Sequence, residues 1–249
     1  MSHAESPQRR LRDYQRHYQL DAEAIVDPRE LSPVRRASEA RRLRTLVDLL
    51  GLRPGEPLLD MGCGSGWLAA SCRAAGARVW AADLALGGVA GARARFPEVD
   101  HYQVADVYHL PFVAGAFAAV VLSEVVEHLE DIPGAFAEVG RVLTPGGRLL
   151  VSVPYRETIV EHLCIHCNRL TPGNAHLHSF DEQKLGGYLQ GQGLVPQRSL
   201  LINNKLLELA GFPRWSQAWP HWAWRSVDRL SNAVVGRPAF LGMLARKSG

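Results

Sequence analysis

Short apolar runs alternate with helical patterns along most of the chain after residue 50, and this alternation constrains the fold more than any other feature. The apolar runs have the length of strands and are bounded by glycine, proline or charged residues. They lie at 57–60, 77–82, 102–105, 116–122, 148–153, 194–202 and 239–245. A helix between two strands carries the chain back to the end where the first strand began, so the two strands run parallel. We therefore predict an α/β fold with a doubly wound, mostly parallel seven-stranded sheet.

A glycine-rich turn follows the first predicted strand. The segment 58–66 reads LLDMGCGSG, so Gly62, Gly64 and Gly66 stand at G-x-G-x-G spacing ahead of a helical pattern. Glycine lacks a Cβ atom, which lets the backbone turn sharply and lets a ligand lie directly against it. A dinucleotide fingerprint needs a further glycine where this chain has Trp67. The turn therefore predicts a nucleotide-like ligand without a pyrophosphate.

Further motifs follow the glycine turn along the chain. Asp83 ends the second predicted strand 23 residues after Asp60, where a carboxylate can accept both hydroxyls of a ribose. The remaining motifs are the segments 105–112 (ADVYHLPF), 117–129 (FAAVVLSEVVEHL) and 142–154 (VLTPGGRLLVSVP). Together with the glycine turn, they resemble the class I S-adenosylmethionine-dependent methyltransferases over about residues 45–155.

This resemblance implies a Rossmann-like methyltransferase fold with S-adenosylmethionine as the cofactor. It implies that the glycine turn faces the methionine half of the cofactor, that Asp83 binds the ribose and that Ser123 closes the pocket. The residues expected to contact the cofactor are Asp60, Gly62, Cys63, Gly64, Gly66, Asp83, Leu84, Asp106, Val107 and Ser123. Taken singly, each glycine could serve a tight turn and Asp60 a helix cap, but four motifs in family order favour the cofactor.

The same resemblance suggests how the chain is divided. We expect residues 1–50 to form a helical cap over the substrate. Residues 51–249 would form the methyltransferase domain, with an insertion near 203–236. Apolar residues at helical spacing predict that the cap ends in a helix, which stops at Gly51.

Glu124, Glu127 and His128 come directly after the fourth predicted strand, beside the expected methyl group. At positions i, i+3 and i+4 they would share one face of a helical turn. Two carboxylates and an imidazole are metal ligands by composition. The Glu-x-x-Glu-His pattern is similar to that of metal-dependent O-methyltransferases of small-RNA 2′-hydroxyls and of the ubiquinone pathway. In the small-RNA group a further histidine followed by x-Phe completes the site, and His178 with Phe180 matches it.

This second resemblance implies a divalent cation, magnesium in preference to zinc, bound by Glu124, Glu127, His128 and His178. Such an ion would lower the pKa of an acceptor hydroxyl. His128 and His176 are the candidate catalytic residues, with His176 acting as a ligand or as a general base. The alternative is that His128 contacts the substrate or satisfies a buried hydrogen bond, with no metal bound.

Four of the ten histidines and two of the four cysteines fall within residues 162–178. Cys164, Cys167, His176 and His178 form a rival ligand set, Cys-x2-Cys-x8-His-x-His, that could close a tetrahedral zinc site. Its second spacer is shorter than is typical of zinc sites, so this set ranks second. The cysteines could also be small buried hydrophobes.

Residues outside the core motifs are the guide to the acceptor. Tyr14, His17 and Tyr18 lie among arginines, and residues 215–224 hold four of the six tryptophans together with His221. Aromatic and arginine side chains at the mouth of a cleft suit sugars or flat small molecules. A lid packed on the sheet, or a contact in a homodimer, would explain the same residues equally well.

Our first hypothesis is therefore an O-methyltransferase acting on a hydroxyl of a sugar or a glycosylated metabolite. A phenolic, quinone or other natural-product acceptor is the second. RNA is disfavoured because 28 basic residues barely exceed 25 acidic ones and no RNA-binding domain is recognisable. A non-catalytic, cofactor-binding assembly partner is the alternative of another class, against which the intact cofactor motifs count.

The chain carries no pattern of export or membrane insertion. Residues 1–12 are polar and arginine-rich, without the apolar region of a signal peptide. The longest stretch without charge, 107–123, is interrupted by His109, Pro111 and Gly115, so we expect no membrane span. Four cysteines without secretory context do not suggest a disulfide framework. We expect a cytoplasmic protein.

Overall fold

The computed structural model describes residues 13–23, 27–165 and 168–248. Its helices are α1 (Tyr14–Glu23), α2 (Pro33–Leu50), α3 (Trp67–Ala74), α4 (Leu86–Arg95), α5 (Ile132–Val142), α6 (Glu182–Gln190), α7 (Lys205–Leu209), α8 (Phe212–Trp215) and α9 (His221–Val235). Its strands are β1 (Pro57–Met61), β2 (Arg78–Asp83), β3 (His101–Val104), β4 (Phe117–Ser123), β5 (Leu143–Pro154), β6 (Glu161–Leu163), β7 (Leu170–Pro172), β8 (Leu194–Asn204) and β9 (Pro238–Lys247).

Seven strands form one sheet in the order β3-β2-β1-β4-β5-β9-β8. The first five are parallel, whereas β9 runs antiparallel to both β5 and β8. The chain moves outward from β1 to β3 on one side and then from β4 onward on the other, so strand order reverses between β1 and β4. In open α/β sheets such a reversal leaves a crevice at the carboxyl ends of the strands. The predicted seven-stranded, mostly parallel sheet is confirmed.

Two hydrophobic layers cover the two faces of this sheet. Neighbouring residues alternate between them, as the period of a strand requires: Leu59 packs in one layer and Leu58 in the other. Helices α5 and α6 cover the first face, and α2, α3 and α4 cover the second. Helix α2 ends at Leu50, with Gly51 in the left-handed conformation (φ 61°). This helix thus belongs to the layered body of the fold, and the division of the chain at residue 50 stays a prediction.

The predicted insertion near 203–236 folds as α7, α8 and α9 against α2 and β8. The guanidinium of Arg41 on α2 donates to the carbonyl oxygen of Ser216 (2.6 Å) and lies over the ring of Trp224. The buried carboxylate of Asp228 accepts from the backbone N–H groups of Asn203 (3.2 Å) and Asn204 (2.8 Å). Charge-assisted hydrogen bonds therefore fix the middle of the insertion to α2 and hold α9 against the end of β8.

Two observations complete the fold. Strands β6 and β7 form a separate antiparallel hairpin, which apolar patterning did not predict because its residues are largely exposed. No helix within the described part of the chain is both long enough and apolar enough to cross a bilayer. The cytoplasmic location stays a prediction.

Candidate active site

A cavity of about 390 Å³ lies where strand order reverses, at the carboxyl ends of β1 and β4. Nine of the ten residues predicted to contact the cofactor line it: Asp60, Gly62, Cys63, Gly64, Asp83, Leu84, Asp106, Val107 and Ser123. The tenth, Gly66, instead packs beneath the turn, at the start of α3. The residues predicted from the sequence therefore line the cavity, except for Gly66, which packs against α4.

The turn after β1 requires glycine because another segment approaches it closely. Gly62 has φ 78°, and a Cβ atom there would lie 2.3 Å from Cγ2 of Val125 in the segment that follows β4. Gly66 has φ 81°, and its Cβ atom would lie 2.9 Å from Cβ of Ala92 on α4. The N–H groups of Gly62 and Cys63 both donate to the carbonyl oxygen of Ala82, which ties the turn to β2. A side chain at either glycine would push apart elements that frame the cavity.

Two carboxyl groups of the cavity have different surroundings. Asp83 accepts from the backbone N–H of Gly64 (3.0 Å) and that of Ala85 (3.1 Å). Asp60 is fully buried, and within the described residues its Oδ2 atom has no hydrogen-bond partner. Burial, together with the charge of Asp83, raises the pKa of Asp60 to about 7. The Oδ2 atom of Asp60 is thus a buried acceptor that lacks a donor among the described residues.

Helix α1 covers the mouth of the cavity. The Tyr14 hydroxyl donates to Oδ2 of Asp106 (2.6 Å), and the Tyr18 hydroxyl donates to the carbonyl oxygen of His128. Both tyrosines line the cavity. The tryptophans of residues 215–224 were predicted either at the mouth of a cleft or packed on the fold, and among the described lining residues none belongs to the insertion. The structure favours packing on the fold, because Arg41 binds the insertion on another side of α2.

Arg42 is a buried residue of the site that sequence reasoning missed. Its guanidinium bonds to the carboxylate of Glu39 (2.7 and 2.8 Å) and to the hydroxyls of Ser123 (3.0 Å) and Ser152 (3.1 Å). Burial alone would lower the pKa of Arg42, but neighbouring carboxylates, Glu39 first, raise it, so the group stays charged. The available signal was its spacing, since position 42 lies on the apolar stripe of α2, four residues before Leu46.

Glu124, Glu127 and His128, which follow β4, do not share one helical face, contrary to the prediction from their spacing. Glu124 has a left-handed backbone (φ 58°) and precedes the 3₁₀ turn Val126–His128. Its carboxylate lies 3.5 Å from the guanidinium of Arg42. Burial raises the pKa of Glu124 to about 7, although Arg42 acts to lower it. The left-handed residue Glu124 therefore breaks the helical turn, and Glu124 does not belong to the group that Glu127 and His128 form with a third ligand.

A distant loop brings a second histidine to Glu127. The backbone N–H groups of Leu177 (2.8 Å) and His178 (3.2 Å) both donate to the carbonyl oxygen of Glu127. His176 consequently lies beside His128, with 4.8 Å between the ring centroids. The ring of His178 is instead 2.8 Å from the carbonyl oxygen of Leu129, through Nε2. The structure therefore places His176, rather than His178, against the predicted metal ligands.

Glu127, His128 and His176 form a candidate metal-binding group, because potential ligand atoms of all three lie within 4.8 Å of one another. Glu127 is fully buried, and among the described residues neither of its carboxylate oxygens has a hydrogen-bond partner. Burial raises the pKa of Glu127 well above its usual range and lowers that of His128 to about 4. Nδ1 of His176 bonds to the carboxylate of Glu157. A buried carboxyl group without hydrogen-bond partners among the described residues, beside two imidazoles, suits a divalent cation.

The alternative zinc ligands, Cys164, Cys167, His176 and His178, do not form one cluster within the described residues. Cys167 lies outside the described residues. Cys164 starts the turn of the β6–β7 hairpin, where its N–H donates to the carbonyl oxygen of Arg169. Within the described chain Cys164 joins no metal-binding group with His176 and His178.

Comparison with known proteins gives one family and several partial relatives. Residues 35–198 match a family model described as a methyltransferase domain. Malonyl-[acyl-carrier protein] O-methyltransferase of Serratia marcescens is 42% identical over 107 residues, which is 42% of this chain and 42% of that protein. Demethylmenaquinone methyltransferase of Beutenbergia cavernae is 36% identical over 109 residues, 44% of this chain and 45% of that protein. The chain thus spans about half the length of the curated relatives it matches.

A solved structure matches nearly the whole fold. The 1,6-didemethyltoxoflavin-N1-methyltransferase of Burkholderia thailandensis, with 1,6-didemethyltoxoflavin and S-adenosylhomocysteine bound, superposes with a TM-score of 0.59 at 20% sequence identity. The match covers 99% of this chain and 94% of that one. At this identity the likeness shows the fold alone.

The close approach at Gly62 predicts a large difference between two glycine substitutions. Gly62→Ala and Gly115→Ala both place alanine at positive φ, which costs about 1 kcal/mol. Gly115 has open space around it, whereas an alanine at 62 would overlap Val125, which adds about 1–3 kcal/mol. Urea unfolding should therefore show a greater loss of stability for Gly62→Ala. Equal losses would contradict the close packing of the two turns.

The raised pKa of Asp60 predicts a pH-dependent stability in the absence of ligands. Because Asp60 titrates near 7 in the folded state and near 3.8 in the unfolded state, the folded protein holds an extra proton between these values. The free energy of unfolding should therefore fall as pH rises from about 4 to about 7. Asp60→Asn should have a shallower slope over this window in urea titrations. An unchanged slope would show that Asp60 does not hold that proton.

Proposed function

Because this chain belongs to the methyltransferase-domain family, we propose that it moves a methyl group from S-adenosylmethionine to a hydroxyl oxygen of a small-molecule acceptor. The observation that carries the acceptor chemistry is the unpaired, fully buried carboxyl group of Glu127 beside His128 and His176. His128 and Glu124 also line the main cavity, so the group adjoins the space in which the reaction would occur.

The cavity fits S-adenosylmethionine in the chemistry of its lining. Gly62 and Gly64 leave backbone exposed for the methionine half, and the carboxylate of Asp83, which lines the cavity, can accept hydrogen bonds from ribose hydroxyls. Among the described residues, Oδ2 of Asp60 has no hydrogen-bond donor, so it can accept one from the cofactor. Leu84 supplies an apolar surface for adenine. When bound, this cofactor supplies an electrophilic methyl group on a sulfonium. The remaining predicted contacts, those of Cys63, Asp106, Val107 and Ser123, belong to the same proposal.

The histidines are arranged to receive a proton or a cation. A hydrogen bond from Nδ1 of His176 to Glu157 leaves Nε2 as the basic nitrogen, and the low pKa of His128 keeps that ring neutral near pH 7. Neutral imidazoles are the form that accepts a hydroxyl proton or binds a metal ion. A divalent cation fits Glu127, His128 and His176, and would supply Lewis acidity that lowers the pKa of the acceptor hydroxyl. This group has one carboxyl group and two imidazoles, whereas the predicted set had two of each. The higher share of imidazole ligands favours zinc over magnesium.

The charge of the cavity indicates the kind of acceptor. The described lining residues include one guanidinium group, that of Arg42, and five carboxyl groups. These carboxyl groups belong to Glu39, Asp60, Asp83, Asp106 and Glu124. An acidic cavity repels phosphates and nucleic acids and offers many acceptors to neutral hydroxyl groups. The aromatic rings of Tyr14 and Tyr18 add a surface for a sugar ring. These features favour a sugar or glycosylated metabolite over RNA.

A phenolic or quinone acceptor is the second candidate. It is favoured by the relative from Beutenbergia cavernae, which is named for demethylmenaquinone. The two tyrosines that cover the cavity would suit a flat aromatic ring as well as a sugar. A non-catalytic assembly partner remains the proposal of another class.

Removal of the metal should abolish turnover. We expect treatment with EDTA, or the isosteric change Glu127→Gln, to remove bound metal and to lower the rate by about 10²-fold or more. Affinity for S-adenosylmethionine should stay unchanged, because Glu127 does not line the cavity. Elemental analysis, calorimetry and a methyl-transfer assay measure the three effects. Turnover that survives EDTA would refute an activating metal, and metal loss confined to Cys164→Ser would favour the zinc set.

A panel of acceptors separates the proposed functions. Calorimetry should first show binding of S-adenosylmethionine, and transfer of a radiolabelled methyl group should then occur to neutral sugars or glycosides. Transfer only to phenols or quinols would favour the second candidate. Cofactor binding without transfer to any hydroxyl would favour the assembly partner.

A further inference from the structure

A second cavity, of about 560 Å³, lies between α2, β8 and α9. It shares no lining residue with the candidate active site. Helix α2 separates the two: Glu39 and Arg42 line the active-site cavity, whereas Arg44 and Asp48 line the second one. Any ligand held here is therefore outside the space in which methyl transfer would occur.

The second cavity is strongly basic. Four arginines line it, Arg44, Arg198, Arg225 and Arg229, against the single carboxylate of Asp48. That carboxylate lies 3.4 Å from Nε of Arg44. Within the described part of the chain, no carboxylate forms an ion pair with Arg198 or Arg229. Clustered like charges repel one another unless an anion lies between them.

Arg225 is the most buried of the four arginines. Its side chain is only 15% exposed, whereas Arg198 and Arg229 are exposed. The carboxylate of Asp228 lies 3.8 Å from its Nη1 atom and already accepts from the backbone N–H groups of Asn203 and Asn204. Arg225 therefore adds an incompletely compensated positive charge to the wall of the cavity.

The uncharged part of the cavity completes the site. Burial lowers the pKa of His221 to about 4, so this ring is neutral near pH 7 and adds no charge of its own. Its Nε2 atom is 3.3 Å from the Thr45 hydroxyl. The ring of Trp222 stands exposed at the rim, where it can cover the organic part of a ligand.

We propose that this second cavity binds a phosphate group, which either a soluble phosphorylated molecule or an anionic lipid headgroup carries. Planar guanidinium groups match the tetrahedral oxygens of phosphate with paired N–H donors. The volume, the four arginines and the absence, among the described residues, of a carboxylate paired with Arg198 or Arg229 all point to this chemistry. The site is independent of the proposed methyl transfer.

Two ligands and three variants test the site. Calorimetry measures binding of inorganic phosphate, and flotation measures binding to vesicles of phosphatidylglycerol or of phosphatidylcholine. Arg198→Gln and Arg229→Gln, on β8 and α9, should each weaken binding about tenfold. Arg237→Gln removes the same charge from an exposed position outside the cavity and should change little. Both cavity variants change exposed side chains, and an unchanged affinity for S-adenosylmethionine verifies their fold.

The arms of the experiment identify the source of the phosphate. The ligand is a soluble phosphorylated molecule if the protein binds free phosphate, both cavity variants weaken that binding, and phosphatidylglycerol vesicles are not preferred. Selective binding to phosphatidylglycerol vesicles that both variants weaken assigns a lipid headgroup. The proposal is overturned if the unmodified protein binds neither, or if Arg237→Gln weakens binding as much as the cavity variants do.

Discussion

The closeness of two turns at the centre of the sheet governs the rest of the site. The turn after β1 and the segment after β4 meet where Gly62 lies against Val125, in a space too small for a Cβ atom. Their contact fixes the distance between the loop that would hold a cofactor and the segment that carries Glu127 and His128. Both segments begin at the ends of neighbouring parallel strands, so the register of β1 with β4 sets this distance directly. A rigid sheet thus positions chemistry that is carried by turns.

Local sequence patterns predicted the features that depend on local backbone geometry. The seven strands and the helices between them follow from apolar periodicity and from turn residues, which act over a few residues, whereas the residues that line the main cavity were implied by the resemblance to class I S-adenosylmethionine-dependent methyltransferases. The expectation for Glu124 failed because spacing cannot reveal a left-handed residue that redirects the chain. His176 and His178 could not be told apart, since hydrogen bonds to Glu127 from residues 50 positions away decide which ring reaches it.

Long-range packing explains the other differences. Arg42 carries a charge and would be expected at the surface, but Glu39 and two serine hydroxyls pair with its guanidinium in the interior. The insertion rich in tryptophan lies away from the active-site cavity because Arg41 binds the turn at Ser216. In both cases, an arginine of α2 makes contacts with segments distant in sequence. Helix α2 therefore separates a cavity lined mainly by carboxyl groups from a cavity lined mainly by guanidinium groups.

The two backbone hydrogen bonds that hold Leu177 and His178 to Glu127 have an energetic consequence. They deliver His176 from a loop, whereas Glu127 and His128 stand next to each other on one short turn. A three-ligand site exists only in molecules whose loop is docked, so its apparent affinity for a cation is scaled by the docked fraction. By the same linkage, an ion that uses all three side chains would hold the loop in place. Order in the segment 173–178 and occupancy of the proposed metal site are therefore linked through one equilibrium.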